Sequence, residues 1–361
     1  MAKSNAQYWL DRQAQNFLDG EKEALELAKE LQENYGRAVN QIQKEINNFY
    51  AKFARENNIS INEAKKLLDK SELKNFNAQL KEYMEYAKEN SFDTAYLNEL
   101  NLLKYKTKVS RLEELKANIK FQIAKLQKKN YDQITNTMLR LYDESFLKEI
   151  FTLSQSVGLS IAFTRPAAAV IEKYLSQTIN LANYAIGEKQ IWQYKIPQLM
   201  NILGVKIPQG ITLGQNPKKV AKDVSKTLNT DYNNTVRLIR TEYNYIFNQA
   251  SIDSYKACGI NKYQILVALD ERTCDTCGDL DLLVVDYEDK EVGVNFPPFH
   301  PNCRCTTKAY FEPDEFDVDN KRIAKDKDGK PYLVPNDLTF NEWKAGLTKH
   351  EGGVMYFKST R

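Results

Sequence analysis

The chain has 361 residues, of which 42% are hydrophobic and 27% are charged, so it can build real cores and fits a soluble protein. Its net charge of +3 is nearly balanced and favours no class of partner. No run of consecutive aliphatic residues, such as 282–285, exceeds five residues, which is far too short for a membrane span, and the first twenty residues contain no signal-peptide core. We therefore expect a protein made in a cytoplasm, without a membrane span.

The first 130 residues predict long amphipathic helices, packed on one another or on partners. No proline occurs before Pro166, and only three glycines interrupt the first 160 residues. Apolar residues recur at intervals of three and four along two stripes, in 25–53 and in 100–126. The spacing is not a clean heptad, and Ser60 to Glu63 has the pattern of a capping box.

The second stripe lies in a basic segment. Residues 101–130 contain nine Lys or Arg residues against two Glu residues. Such a segment is either an ordinary solvated helix face or a contact for nucleic-acid phosphates or an acidic protein surface. The candidate contact residues are Lys104, Lys106, Lys108, Lys116, Lys120, Lys125, Lys128 and Lys129.

Residues 131–204 predict shorter and more apolar helices, one of which begins at Pro166. A proline- and glycine-rich stretch, 205–219, then indicates a boundary or loop. Asn216 and Pro217 are typical of a helix start, and a second, longer helix is expected to end near Gly259.

Three strand-like segments follow that helix: "KYQILVALD", "LLVVDYED" and "CTTKAYF". Residues 205–312 therefore predict a small α+β domain after a mainly α N-terminal region. Residues 313–361 are expected to form a polar tail with one short helix in "TFNEWKAGLTK".

The strongest chemical signal is a cluster of cysteine and histidine residues within the α+β domain. Cys274 and Cys277 form one Cys-x-x-Cys pair, and 22 residues separate Cys277 from His300, which opens His-x-x-Cys-x-Cys. Thiolates and imidazoles are good zinc ligands, and a structural zinc takes four. We expect zinc bound by Cys274, Cys277, His300 and Cys303, with Cys305 as the alternative ligand. A disulfide or mixed thiol pairing and inert packing remain open.

The sequence lacks the parts of a common enzyme site. Four protein ligands would leave no open position on a catalytic zinc, and no Glu stands two residues after His300 as a zinc deaminase requires. His350, the other of only two histidines, is a poor general base so far along the tail. Nucleotide-binding glycine motifs are absent. We therefore expect no catalytic activity.

Two smaller features have ordinary interpretations. Arg240 and Glu242 lie two residues apart, so they cannot share a helix face, and we interpret them as a surface pair. Cys258, at a predicted helix end, is interpreted as a small buried hydrophobic residue.

Three blocks of residues together resemble the phage Mu F-like head morphogenesis family, over about 205–312. They are "RTEYNYIFNQA", "ALDERTCDTCGDLD" and "FPPFHPNCRC", of which the last is the most specific. The residues that match the family, beside the cysteines and His300, are Arg240, Thr241, Glu242, Asp270, Asp281 and Arg304.

The resemblance implies a minor capsid protein of a tailed phage, present in few copies in the capsid interior or at the portal vertex and made in the host cytoplasm. It implies portal protein and other capsid or scaffolding proteins as partners, and in some cases packaged DNA, with which the protein leaves at ejection. Two alternatives stay open. One is a metal-dependent nuclease or other DNA-processing enzyme, in which the acidic run from Asp270 to Asp281 binds a second cation; the other is a host-directed effector released at ejection.

Overall fold

The computed structural model describes residues 5–53, 68–90, 92, 94–106, 109–157, 166–176, 179–181, 184–186, 198–199, 202–203, 206–207, 209–210, 213, 215–310, 321–325, 331–335, 339, 342, 347–349 and 355–357, some by their backbone alone. The chain forms two compact units, each assembled from separate stretches. One comprises 1–26, 136–187 and 237–361, and the other comprises 27–135 and 188–236. The predicted regions 1–130, 131–204, 205–312 and 313–361 stay a prediction.

The N-terminal part is helical, as predicted. Helix α1 spans Asn5–Phe53, α2 spans Lys70–Glu89, α3 spans Thr94–Tyr105 and α4 spans Arg111–Val157. The two predicted apolar stripes supply much of the core, although the second is divided between α3 and α4. Their most deeply buried members include Leu31, Ile42, Ile46, Leu100 and Ile123.

Helix α2 begins at a capping box that the sequence analysis did not select. The side chain of Asp69 accepts hydrogen bonds from the backbone N–H groups of Ser71 and Glu72, and the side chain of Glu72 accepts one from the N–H of Asp69. The predicted box at Ser60 to Glu63 lies outside the described residues. Asp69-x-x-Glu72 has the same sequence pattern and was available as a signal.

Within the first unit, α1 comes close to the chain near Tyr243. The Tyr243 hydroxyl donates a hydrogen bond of 2.6 Å to the backbone carbonyl of Phe17. Gly20 allows this approach, because a Cβ atom added there would lie 2.5 Å from the Tyr243 hydroxyl oxygen. Gly36, in the other unit, has no atom within 4 Å of the corresponding position.

Helix α5 spans Ala168–Ser176 and so begins two residues after the predicted start at Pro166. A short antiparallel hairpin follows, with β1 at Ile179–Leu181 and β2 at Tyr184–Ile186, where the sequence predicted helix. Three-residue strands are too short to show an alternating pattern, which explains the error.

Helix α6 is one continuous helix, Pro217–Ala257, where two were predicted. Its predicted start is confirmed, because Asn216 Oδ1 accepts a hydrogen bond of 2.9 Å from the N–H of Lys218. Its predicted end is also confirmed, since Gly259 follows with φ of +78°.

The predicted three-stranded region forms an antiparallel sheet in the order β4-β3-β5. Strand β3 is Lys262–Leu266, β4 is Val284–Asp286 and β5 is Thr306–Ala309. Alternate residues of β3 are buried, so Tyr263 and Ile265 enter a core that also contains Cys277, Cys303 and Cys305. The chain between β3 and β5 thus returns to its starting strand, and helix α7, Asp275–Gly278, lies in this excursion.

The C-terminal region contains two hairpins that the polar composition did not indicate. Strands β6, Lys321–Lys325, and β7, Pro331–Pro335, pair antiparallel, as do β8, Leu347–Lys349, and β9, Met355–Phe357. The helix predicted in 339–349 is wrong at its end, which forms β8. Among the described helices, none has both the length and the apolar character that crossing a membrane requires.

Candidate functional site

The site consists of a Cys/His cluster: Cys274, Cys277, His300, Cys303 and Cys305. Its first part follows β3, where Cys274 is the N-cap residue of α7 and its backbone carbonyl accepts a hydrogen bond of 3.0 Å from the N–H of Gly278. This turn places the side chains of Cys274 and Cys277, three residues apart, on one side. Cys274 is exposed and Cys277 is buried, so the pair extends from the surface into the core.

The second part of the cluster is a tight turn whose backbone groups form hydrogen bonds with side chains of α6. The N–H of Cys303 donates to the carbonyl of His300 at 3.1 Å, and Asn302 has φ of +60°, which asparagine tolerates well. The N–H of Asn302 donates to the Thr241 hydroxyl at 3.1 Å. The Asn244 amide donates to the carbonyl of Cys305 at 2.8 Å.

Asn244 and Asn248 are functional residues that the sequence analysis missed. Both are fully buried on α6, and Asn248 also donates to the carbonyl of Cys305, at 3.3 Å. Two asparagines four residues apart on an apolar helix face are a signal, because buried amides need partners. The segment "RTEYNYIFNQA" contains both asparagines, but the sequence motif drew attention only to its first three residues.

The five donor atoms form two overlapping groups rather than one set of four. Nε2 of His300 lies 3.3 Å from Sγ of Cys274 and 3.1 Å from Sγ of Cys277. Cys277 also groups with Cys303 and Cys305, with all three sulfur atoms within 4.8 Å of one another. A tetrahedral zinc separates its ligand atoms by about 3.5 to 3.8 Å, given Zn–S of about 2.3 Å and Zn–N of about 2.0 Å. Three of the four predicted ligands, Cys274, Cys277 and His300, therefore lie together, whereas Cys303 groups with Cys305 and shares only Cys277 with them.

The orientation of His300 suits a metal ligand. Its Nδ1 lies 2.9 Å from the carbonyl oxygen of Pro301, and a carbonyl oxygen can only accept. Nδ1 is therefore the donor in this contact, and in the neutral imidazole Nε2, which lies close to the thiols of Cys274 and Cys277, carries the free lone pair. A histidine held through its other nitrogen in this way is typical of metal sites.

The three buried thiols, Cys277, Cys303 and Cys305, shift one another's pKa values. Burial raises the pKa of Cys303, but hydrogen bonds from Cys277, Cys305 and backbone N–H groups outweigh it and hold that pKa well below its usual value. Hydrogen bonding with Cys303 raises the pKa of Cys277, and hydrogen bonds with Cys277 and Cys303 raise the pKa of Cys305. All five cysteines of the chain are free thiols, with no disulfide among them.

Cys258 lies apart from the cluster, half-buried at the end of α6. Burial raises the pKa of its thiol to about 11, so it remains a neutral thiol at neutral pH. Cys258 packs against the core as a small apolar residue, but it is only half-buried, whereas it was predicted to be buried.

An ion pair fastens the two ends of the excursion beside the cluster. The guanidinium of Arg304 donates two hydrogen bonds to the carboxylate of Asp270, at 2.5 and 2.6 Å. Burial raises the pKa of that carboxyl, but the hydrogen bonds and charge of Arg304 outweigh burial and lower it overall. Asp281 accepts a hydrogen bond of 3.1 Å from the N–H of Val267. Both aspartates therefore serve the local fold.

The remaining motif residues divide between surface and interior. Arg240 is exposed, as the predicted surface pair requires, but Glu242 is buried at 5% exposure, so that interpretation is wrong for Glu242. The reason is the helical spacing itself, which turns two residues that lie two apart toward different sides. Thr241 is fully buried and donates to the carbonyl of Arg237 at 2.7 Å.

The acidic run offers no second cation site within the described residues. Asp270 and Asp281 are engaged by Arg304 and by backbone N–H groups. The two groups of side chains there that could hold a metal ion are both formed by the Cys/His cluster.

The basic candidates lie on different sides of their helices, and Lys108 lies outside the described residues. Lys106 pairs with Glu113, Lys120 with Glu99 and Lys128 with Asp132. The other described members, which make no ion pair within the described residues, are Lys104, Lys116, Lys125 and Lys129.

Comparison with known proteins identifies the segment that contains the site. A family described as Phage Mu protein F like protein matches residues 201–308, a range that includes the whole Cys/His cluster and the ion pair of Asp270 with Arg304. No curated protein and no solved structure matches the chain. Residues 201–308, which contain the Cys/His cluster, are therefore similar to the phage Mu protein F-like family.

Proposed function

We propose that this protein is a structural component of a tailed-phage head, in the capsid interior or at the portal vertex, assembled with portal protein and other capsid or scaffolding proteins. The observation that carries the proposal is the family match over residues 201–308. The hydrogen bonds that side chains of that segment make within the fold also support the proposal. Arg304, Asp270 and Asn244 all bond within the fold, which suits a part that must hold its shape.

The test is to find the protein in particles. Mass spectrometry of purified virions and procapsids is expected to detect it in few copies, and cryo-electron microscopy to locate it near the portal. Its absence from both kinds of particle would overturn the proposal, would exclude an effector released at ejection as well, and would leave the nuclease as the better explanation.

The proposal includes contact with packaged DNA and departure with the genome at ejection. The support is the basic segment, in which Lys125 and Lys129 are exposed. After ejection is triggered in purified virions, the protein is expected in the released fraction. Retention of the full amount in the emptied capsids would contradict the ejection step alone.

We also propose that the Cys/His cluster binds one zinc ion in a structural role. Cys274, Cys277, His300 and Cys303 would hold it, with Cys305 as the alternative ligand. Two observations support the proposal: the two donor groups share Cys277, and Nδ1 of His300 lies 2.9 Å from the carbonyl oxygen of Pro301. A bound zinc would cross-link α7 to the turn before β5, and it would stabilise the folded segment directly.

Elemental analysis of the purified chain tests this proposal. About one zinc per chain is expected. Cys277→Ser is expected to lose it, because Cys277 belongs to both donor groups. Cys258→Ser is the matched control and is expected to keep it, since Cys258 lies outside the cluster. Full zinc in the Cys277 variant, with an unchanged melting temperature, would contradict the structural site.

A further inference from the structure

A groove in the second compact unit collects positive charge from two helices. It has a volume of about 880 Å³ and lies among α1, α2 and α4. We call it the basic groove. Its charged lining residues are Arg37, Lys44, Lys125 and Lys129, and all four are exposed.

The basic groove has no acidic residue among its lining residues. The carboxylates nearby are already engaged: Glu33 lies 3.4 Å from Arg37, Glu45 accepts from Gln41, and Asp132 pairs with Lys128. Only the first of these pairs touches a cation of the groove, and it is a solvent-exposed pair that contributes little. The groove therefore keeps most of its positive charge for a ligand.

The cations are spaced along the helices at intervals that suit a nucleic-acid strand. Arg37 and Lys44 are seven residues apart, about 10 Å along α1, and Lys125 and Lys129 are four apart, about 6 Å along α4. Phosphates recur about every 3.4 Å of axis on one strand of a duplex, so each pair spans two or three of them. The amide groups of Asn40, Gln41 and Gln122 line the same groove and offer neutral donors to phosphate oxygens.

The neighbouring basic residues do not share this arrangement. Lys116 and Lys120 lie four residues apart on α4, but Lys125 follows Lys120 by five residues, or about 140° around the helix axis. Lys120 also pairs with Glu99 at 2.6 Å. The charge of the basic segment is thus divided, and only part of it faces the groove.

We propose that the basic groove binds the sugar–phosphate backbone of duplex DNA, without reading its base sequence. The choice of DNA rests on the proposed contact with the packaged genome, whereas the choice of a polyanion rests on the four cations alone. Arg37 and Lys44 enter this site only through the structure, because they lie far from the basic segment in sequence.

The test measures binding of a fluorescent duplex of arbitrary sequence to the full chain by anisotropy, across a series of salt concentrations. Four phosphate contacts predict a slope of log K against log salt of about −3.6. Lys125→Gln with Lys129→Gln is expected to reduce the slope by about 1.8. The control, Lys104→Gln with Lys116→Gln, removes the same charge from outside the groove and is expected to leave the slope unchanged.

Three results would overturn the proposal. The first is an equal loss in both double variants, which would mean that the charge acts diffusely. The second is tighter binding of a single strand, with a slope near −0.7 per cation. The third is no binding of the duplex by the unaltered chain. That result would not contradict the proposal that the protein is a component of the virion. If Lys125→Gln with Lys129→Gln fails to fold by circular dichroism, Arg37→Gln with Lys44→Gln removes the facing charges and is expected to give the same reduction.

Discussion

Replacing Arg304 with glutamine leaves the carboxylate of Asp270 without its main partner. The Asp270 side chain is 10% exposed and that of Arg304 is 25% exposed. Removing one partner of a fully buried pair costs about 3–5 kcal/mol. Because water can reach part of this pair, we expect a lower cost, about 2 kcal/mol.

The assay is hydrogen exchange of the backbone N–H groups of β3, measured by mass spectrometry on peptides that cover Lys262–Leu266. A loss of about 2 kcal/mol corresponds to exchange roughly 30 times faster. The matched control is Arg272→Gln, which removes another guanidinium from the same carboxylate, 3.6 Å away and 75% exposed. Such an exposed pair contributes little, so we expect a change below about 0.5 kcal/mol.

The comparison is informative because both variants lose one positive charge beside Asp270. Equal effects of Arg304→Gln and Arg272→Gln would refute the reasoning, since they would show that net charge matters and buried geometry does not. An unchanged rate of exchange in the Arg304 variant would refute it as well.

Three further predictions concern the same fold. Gly20→Ala is expected to destabilise the protein by about 1–3 kcal/mol, because the added Cβ would lie 2.5 Å from the Tyr243 hydroxyl, whereas Gly36→Ala in open space is expected to stabilise it by about 0.5–1 kcal/mol. Thermal melts distinguish them, and a shift of the same sign would count against the packing. Because the folded-state pKa of Asp270 is lowered, its contribution is present above its unfolded pKa of about 4 and is lost as the pH falls through the folded value; melts across acidic pH are expected to show a smaller loss for Asp270→Asn. Asn216→Ala is expected to cost about 1 kcal/mol and to speed exchange in the first turn of α6 alone.

The long-range order of the fold followed from simple patterns. Apolar spacing identified the stripe through Leu31 and Ile42, and Asn216 with Gly259 marked both ends of α6. The three strands around Tyr263 were also confirmed. Short strands were missed, because three residues such as Ile179–Leu181 carry too little pattern to outweigh a helical context.

The residues of the candidate site were predictable, and their connections were less so. Cysteine and histidine spacing brought Cys277 and His300 together correctly, since each Cys-x-x or His-x-x unit folds locally. The pairing of Asp270 with Arg304, 34 residues apart, depends on the return of the chain to β3 and has no local signal. The grouping of the five donor atoms also depends on tertiary packing, which places them in two groups that share Cys277.

The hydrogen bonds from α6 to the turn before β5 determine which residues of that turn can be substituted. Asn244 and Asn248 both donate to the main-chain carbonyl of Cys305, not to its side chain. These two hydrogen bonds therefore require the two asparagines, but they do not require a particular side chain at position 305. A substitution of Cys305 can therefore remove the sulfur atom while α6 keeps its hydrogen bonds to the backbone carbonyl at position 305.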